Sequence, residues 1–265
     1  MNKRFFALLI SGLTLIGTTL SALAEPDTKL WPVVKEAFFA GRVINEDAPF
    51  IRMTAPRRAE SGAQVPLTIH IDRTIGEADA IKKLYVLVDA NPIPLTATYT
   101  LTELLGKFEL STRIRMETDS YVRAIGETAD GKLFMASIPI RAAGGCGGLV
   151  GGDEAAIRAA SGKVKMNFAE GVKMGEPVTT TFIVKHPMYT GLQRDPSGGF
   201  KPAFFMEKAD FTYNGKPVMQ VHFGVGTAED PYLRFNFVPK EAGVMDVKLL
   251  DNEGKAFEHK SDYNS

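Results

Sequence analysis

Val65-Pro66-Leu67-Thr68-Ile69-His70-Ile71 sets an apolar side chain at every second position, the spacing that turns Val65, Leu67, Ile69 and Ile71 toward one face of a β-strand. The same period returns downstream, where Ile114 and Met116 alternate with Arg113, Arg115 and Glu117. Both stretches predict half-buried strands, with the charged residues of the second on the solvent side. Between them, Leu84 to Val88 is a continuous apolar run suited to a central strand, stopped by the turn chemistry of Asn91-Pro92 and Pro94. Farther on, Ala129-Asp130-Gly131-Lys132 predicts a hairpin, because Asp-Gly supplies the positive φ that tight hairpins require.

A second β-rich block runs from about Val164 to Phe257, with period two at Val178, Thr180, Phe182 and Val184, at Val221, Phe223 and Val225, and at Leu233, Phe235 and Phe237. Tyr213-Asn214-Gly215-Lys216 and Asp251-Asn252-Glu253-Gly254 mark its turns. Ahead of both blocks, Leu30, Val33, Val34, Ala37 and Phe38 recur at helical spacing, with Pro32 tolerable in a first turn. They predict one short helix packing that stripe on the edge of the first block. The fold class that follows is all-β: two immunoglobulin-like antiparallel β-sandwich domains joined by a Gly-rich segment, with a short N-terminal helix. The expected boundaries are 25–141 for the first sandwich, 142–162 for the segment and linker, and 163–265 for the second. Met116, Met219 and Met245 are expected to fill the core.

Residues 1–24 have the parts of a secretory signal peptide: Lys3 and Arg4, an apolar stretch from Phe5 to Leu20, then Ala22 and Ala24 before Glu25. Cleavage after Ala24 would leave a mature chain without a membrane span, expected in the periplasm. The 265 residues carry 31 basic and 31 acidic side chains, so the chain lacks the positive field of a nucleic-acid binder. One cysteine in an oxidising compartment cannot form an internal disulfide, and the odd thiol calls for another use.

That thiol lies in Ala142-Ala143-Gly144-Gly145-Cys146-Gly147-Gly148-Leu149-Val150-Gly151-Gly152. Gly144, Gly145, Gly147 and Gly148 strip Cys146 of neighbouring side chains and give the loop conformational freedom. The expectation is a bare, reachable thiol with an ordinary pKa of about 8.5, fit to hold a covalent cargo. The segment brings no histidine, carboxylate or oxyanion donor set of its own, which points to a carrier rather than an enzyme. The bland alternative is a buried cysteine in a simple linker. A phosphate-binding loop fits poorly: the Lys-Ser/Thr ending is absent, and Asp153 and Glu154 follow the glycines. His70, His186, His222 and His259 are scattered, without the close spacing of zinc ligands, so neither metal nor cofactor is expected. His186 reads as a strand end, with contact to a partner or to the cysteine loop as the minority reading, and an enzyme hypothesis would make it or another residue the base to a catalytic Cys146.

Taken together these residues resemble the SoxYZ sulfur-carrier family, in which a Y-type subunit ending in Gly-Gly-Cys-Gly-Gly pairs with a Z-type subunit. Ala59-Glu60-Ser61-Gly62, Val65-Pro66, Asn91-Pro92-Ile93-Pro94, Ser111-Thr112-Arg113-Ile114-Arg115 and Gly144 to Gly148 carry the Y-like resemblance. His186-Pro187-Met188, Thr190-Gly191, Arg194-Asp195, Gly199, Pro202, Tyr213 to Lys216 and Pro231-Tyr232 carry the Z-like one. The resemblance implies that Cys146 holds a sulfur-containing intermediate and presents it to periplasmic partner enzymes of sulfur oxidation, thiosulfate oxidation among them. Fused relatives are also associated with quinoprotein dehydrogenases, which makes quinoprotein-linked metabolism a second class of partner. An interaction module for such a dehydrogenase or a cytochrome, with Cys146 in a mere hinge, is the alternative function.

Unlike the Y-type subunit, this chain continues past its cysteine, so the loop is tethered at both ends. At about 3.3 Å per extended residue it could project roughly 10 to 15 Å. Fusion makes the contact between halves intramolecular, at an effective concentration on the order of millimolar, so the two are expected to dock. Tyr189 replaces the family's usual glutamate and Asp230 its usual asparagine, which bears on partner identity rather than on fold.

Overall fold

In the computed structural model, Val65, Leu67, Ile69 and Ile71 are buried, each at 1% exposure or less, as their alternation requires. The structure describes residues 26–74, 80–148 and 150–264, and the expected signal peptide lies outside them. The N-terminal half holds α1 (Leu30–Phe39), β1 (Ile44–Asn45), β2 (Ile51–Thr54), β3 (Val65–Thr74), β4 (Ile81–Val88), β5 (Leu95–Leu101), β6 (Lys107–Ile114), β7 (Ser120–Thr128) and β8 (Leu133–Ile140). After α2 (Glu154–Ala160) come β9 (Val164–Phe168), β10 (Val178–Val184), β11 (Met206–Tyr213), β12 (Lys216–Phe223), β13 (Tyr232–Phe237), β14 (Gly243–Asp251) and β15 (Ala256–Tyr263). At the β11–β12 turn, Asn214 (φ 47°) and Gly215 (φ 77°) both adopt positive φ, which suits an Asn-Gly hairpin and few other pairs.

The strands form two sheets that run through both halves. One has the order β1-β8-β7-β4-β5-β12-β11-β14-β15, the other β2-β3-β6-β13-β10-β9. The halves meet strand to strand: β5 pairs antiparallel with β12, Tyr99 opposite Val221, and β6 with β13, Leu110 opposite Phe235. Without these two ladders each half would end in open sheet edges with unpaired backbone groups. The apolar faces close on one core that includes Leu67, Ile69 and Tyr99 from the first half and Phe182, Phe211 and Phe235 from the second. Met116, Met219 and Met245 are buried in it. One ladder is parallel, the short pairing of β1 with β8.

The helix α1 forms where expected but buries a different face. Trp31, Val34 and Phe39 point inward, whereas Leu30, Val33, Ala37 and Phe38 are exposed. Trp31, Val34 and Phe39 pack with Ile44, Leu87, Ile125, Leu133 and Met135 in a small second core. The cause is a buried ion pair that periodicity could not show. Arg123 binds Asp89 through Nε and Nη2 at 2.7–2.9 Å, and its guanidinium lies 4.1 Å from the Trp31 ring. The indole covers the pair and adds a cation–π contact, which orients the helix by its largest aromatic rather than by the Leu30–Val33 stripe.

Candidate functional site

The Gly-rich segment lies in a groove between three loops. Leaving β8, the Arg141 N–H donates to Arg57 O (2.9 Å), and the Arg141 carbonyl accepts from Ala59 N (2.8 Å). The Ala142 N–H donates to Asp119 Oδ1 (3.0 Å). The Ala143 carbonyl accepts from Gly62 N (3.2 Å), while the N–H groups of Gly144 and Gly145 donate to the carbonyls of Glu117 (2.9 Å) and Met116 (3.0 Å). Around the cysteine itself, one carboxylate oxygen, Glu117 Oε2, accepts from the N–H of Cys146 (2.7 Å) and of Gly147 (3.2 Å). From the C-terminal half, Thr190 Oγ1 donates to the Cys146 carbonyl (2.9 Å). The Gly148 carbonyl accepts from Arg194 N, whose carbonyl in turn accepts from Val150 N.

The four glycines divide into two pairs in this arrangement. A Cβ on Gly145 would fall on the carbonyl oxygens of Gly62 and Met116, so only glycine can approach so closely. Gly144 sits at φ 72°. Gly147 and Gly148 are exposed, and a Cβ on Gly147 would meet nothing nearer than 3.6 Å, one on Gly148 nothing within 4 Å. The docked loop therefore explains why positions 144 and 145 are glycine and gives no reason for 147 and 148.

Docking hides the thiol, contrary to the expectation of a bare and reachable sulfur. Cys146 is 4% exposed. Its neighbours in sequence have no side chains, but its neighbours in space do, and the local composition could not reveal the groove. Burial pushes the Cys146 pKa up to about 11; the charge of Glu117 adds to the shift and that of Arg115 opposes it. At pH 7 only about one docked thiol in ten thousand is ionised, against a few per cent for an unperturbed cysteine.

Arg115 and Glu117 were missed as site residues because period two assigns both to the solvent face. β6 ends at Ile114 and the alternation ends with it, so Arg115 is buried at 3% exposure. Glu117 turns to the loop instead of to water. No pattern marks either one, although both lie just past the end of a strand.

His186 marks the chain just beyond β10, as expected, and it is fully committed on one side. Its backbone N–H donates to Asp230 Oδ1 (2.9 Å), its Nδ1 accepts from Met188 N (3.3 Å), and its ring lies 4.3 Å from that of Phe204. Burial lowers its pKa to about 4. No hydrogen bond joins His186 to Cys146, and the charged groups that act on the thiol are Glu117 and Arg115. Among the described residues no group of three or more His, Cys, Asp or Glu side chains could hold a metal ion, and no helix is long and apolar enough to cross a membrane.

Beyond the loop, α2 is pinned to the C-terminal half. Arg158 binds Glu253 (2.6 Å) and stacks 4.3 Å from the Phe204 ring, and Glu154 pairs with Lys201. Asp153 Oδ1 caps the helix, accepting from Ala155 N (3.0 Å) and Ala156 N (3.2 Å). Removing the cap as Asp153→Ala is expected to cost about 1 kcal/mol. Amide hydrogen exchange should show it as roughly fivefold faster exchange in α2, with the sheets unchanged.

Residues 35–146 match the family of the sulfur oxidation protein SoxY, and residues 166–262 that of the sulphur oxidation protein SoxZ. The chain is a fused SoxYZ-like protein. The SoxY match ends on Cys146, and 147–165, with all of α2, falls between the two matches. Members of the family serve sulfur oxidation as carriers, together with enzymes of that process. Solved structures similar to the chain include the sulfur carrier protein SoxY from Chlorobium limicola f thiosulfatophilum, at 24% identity over 43% of this chain and 91% of that one, TM-score 0.35. A superoxide reductase (neelaredoxin) from Ignicoccus hospitalis is also similar, at 21% identity over 43% and 87%, TM-score 0.31. No curated protein sequence matches the chain.

Proposed function

We propose that Cys146 is the covalent attachment point of this carrier, and that it holds a sulfur-containing intermediate in the periplasm while partner enzymes act on it in turn. The observation that carries the reading is the split among the glycines. Gly147 and Gly148 bond the groove through their backbones alone, and nothing in the docked loop requires them to lack a side chain, so their conformational freedom is of use once the loop leaves the groove. What holds the loop, besides the burial of Ala142 and Cys146, is a set of hydrogen bonds to its backbone, centred on the single carboxylate of Glu117. Freeing Gly144 to Gly148 breaks six such bonds, a cost of about 6 kcal/mol at about 1 kcal/mol for each net hydrogen bond.

Release also restores the chemistry. Out of the groove the thiol leaves behind the burial and the Glu117 charge that raise its pKa, and the thiolate fraction returns to the ordinary few per cent. Joining that thiolate to a sulfur of the cargo as an S–S bond releases the thiol proton and two electrons. The proposed partner enzyme receives the electrons, and a quinoprotein dehydrogenase is the second class of partner the reading admits.

Intact-mass measurement on protein isolated from its native source tests this directly. The expected mass is that of a chain beginning at Glu25 plus an adduct on Cys146, which a thiol reductant removes and Cys146→Ser never acquires. Protein that repeatedly lacks an adduct, while its cysteine remains free to react, would defeat the reading.

A further inference from the structure

A cavity of about 350 Å³ opens beside the carrier loop, walled in part by Arg115, Val150, Lys185 and His186. Two buried side chains in its wall have polar atoms with nothing to bind among the described residues: Arg115 Nε and His186 Nε2. Both are donors. The arginine Nε always carries a proton. His186 Nδ1 accepts from Met188 N, so the proton of the neutral ring sits on Nε2.

Arg115 is 3% exposed, yet its guanidinium makes no ion pair with a described carboxylate; Nη2 donates to the Pro187 carbonyl at 3.2 Å. A buried cation normally requires a paired anion. The two carboxylates that line the same cavity do not meet that need. Asp230 has both oxygens in use, by Lys185 Nζ (2.6 Å) and His186 N (2.9 Å). Glu229 is exposed at the rim and acts on Arg115 through its charge alone, without a hydrogen bond or ion pair.

Two orphaned donors, one of them on a cation that no described carboxylate bonds, define the missing partner as a small group rich in acceptors and negatively charged. We propose that this cavity binds a free tetrahedral oxoanion such as sulfate or thiosulfate non-covalently, held by Arg115 and His186. The site lies next to the carrier segment through Val150, and the Arg115 charge reaches the Cys146 thiol. A sulfur oxoanion would thus be stored beside the carrier cysteine without a bond to it.

The test uses the mature chain carrying Cys146→Ala, which can take no covalent cargo, so its outcome is separate from the fate of the carrier reading. Titration calorimetry with sodium thiosulfate, against sodium chloride at matched ionic strength, should show one saturable site. The ¹⁵N-labelled His186 Nε2–H resonance should move along the same binding curve. Arg115→Gln should weaken binding at least tenfold and His186→Phe about fivefold. If Arg115→Gln does not fold, His186→Phe decides alone. Absence of saturable binding to the Cys146→Ala chain, or affinity undiminished in His186→Phe, would overturn the proposal.

Discussion

Gly145→Ala should make Cys146 about a hundredfold more reactive toward iodoacetamide at neutral pH while leaving the unfolding midpoint of the sheets nearly unchanged. The added methyl group has no room, because it would land on the carbonyl oxygens of Gly62 and Met116. Those carbonyls cannot move aside cheaply: Gly62 O accepts from Met116 N (2.8 Å), and Met116 O accepts from Gly145 itself. Overpacking of this kind costs about 3 kcal/mol, and the loop can avoid it by leaving the groove. Gly148→Ala is the matched control, since a Cβ there meets nothing within 4 Å. It should react at the parent rate, and a hundredfold rise in both variants would show that glycine content, rather than the groove, governs the thiol.

Glu117→Ala should raise the same reactivity about thirtyfold. Its carboxylate accepts from two loop N–H groups through the same oxygen, and losing this shared charge-assisted pair is worth about 2 kcal/mol. A second effect acts in the same direction, because the Glu117 charge helps to raise the thiol pKa, so its removal makes the docked thiol easier to ionise. The pH dependence follows from the same shift. Docking lifts the thiol pKa from 9.0 to about 11, so the docked loop holds its proton more tightly than the free one. Docking is therefore fully favoured below pH 9.0 and weakens as pH rises from there to about 11. In the Glu117→Ala chain that window should narrow from its upper end. Reactivity equal to the parent, corrected for thiolate fraction, would mean that the carboxylate does not hold the loop.

Most of the architecture could be read from residue spacing. Val65 to Ile71 and Val178 to Val184 alternate because each faces a core on one side only, and Asn214-Gly215 marks a hairpin through its backbone demands alone. What periodicity cannot show is which strand edges meet. β5 and β12, and β6 and β13, are ordinary alternating strands whose pairing across the halves depends on backbone groups that every residue shares. The face of α1 was misjudged for a related reason. Its orientation answers to the distant pair Asp89 and Arg123, and Leu30, Val33 and Phe38 are as apolar as Trp31 but have no such partner.

The site was legible in its centre and hidden at its rim. Cys146 and its glycines stand out because nothing else in the chain has that composition. Glu117, Thr190 and Arg194, which hold the loop, come from 29 to 48 residues away and look like ordinary strand-end and turn residues. Their relevance appears only when folding brings the β6–β7 loop and the loop after β10 to opposite sides of one groove. Fusion then adds a feature of its own: α2 is tied down by Arg158 and Glu154. While it stays in place, a loop that undocks can do so only as far as about Gly152, and the reach of the cysteine stays short.

The central claim is that the carrier loop opens by itself, with both sheets intact. The rate of Cys146 alkylation at low urea concentrations measures this most directly, because its urea dependence reports the surface exposed before the thiol can react. A loop that undocks alone exposes little, and the rate should change by less than about twofold between 0 and 1 M urea. A rate that climbs with the slope of complete unfolding, about 1 to 3 kcal/mol per molar urea, would mean that Cys146 is reached only through the unfolded chain.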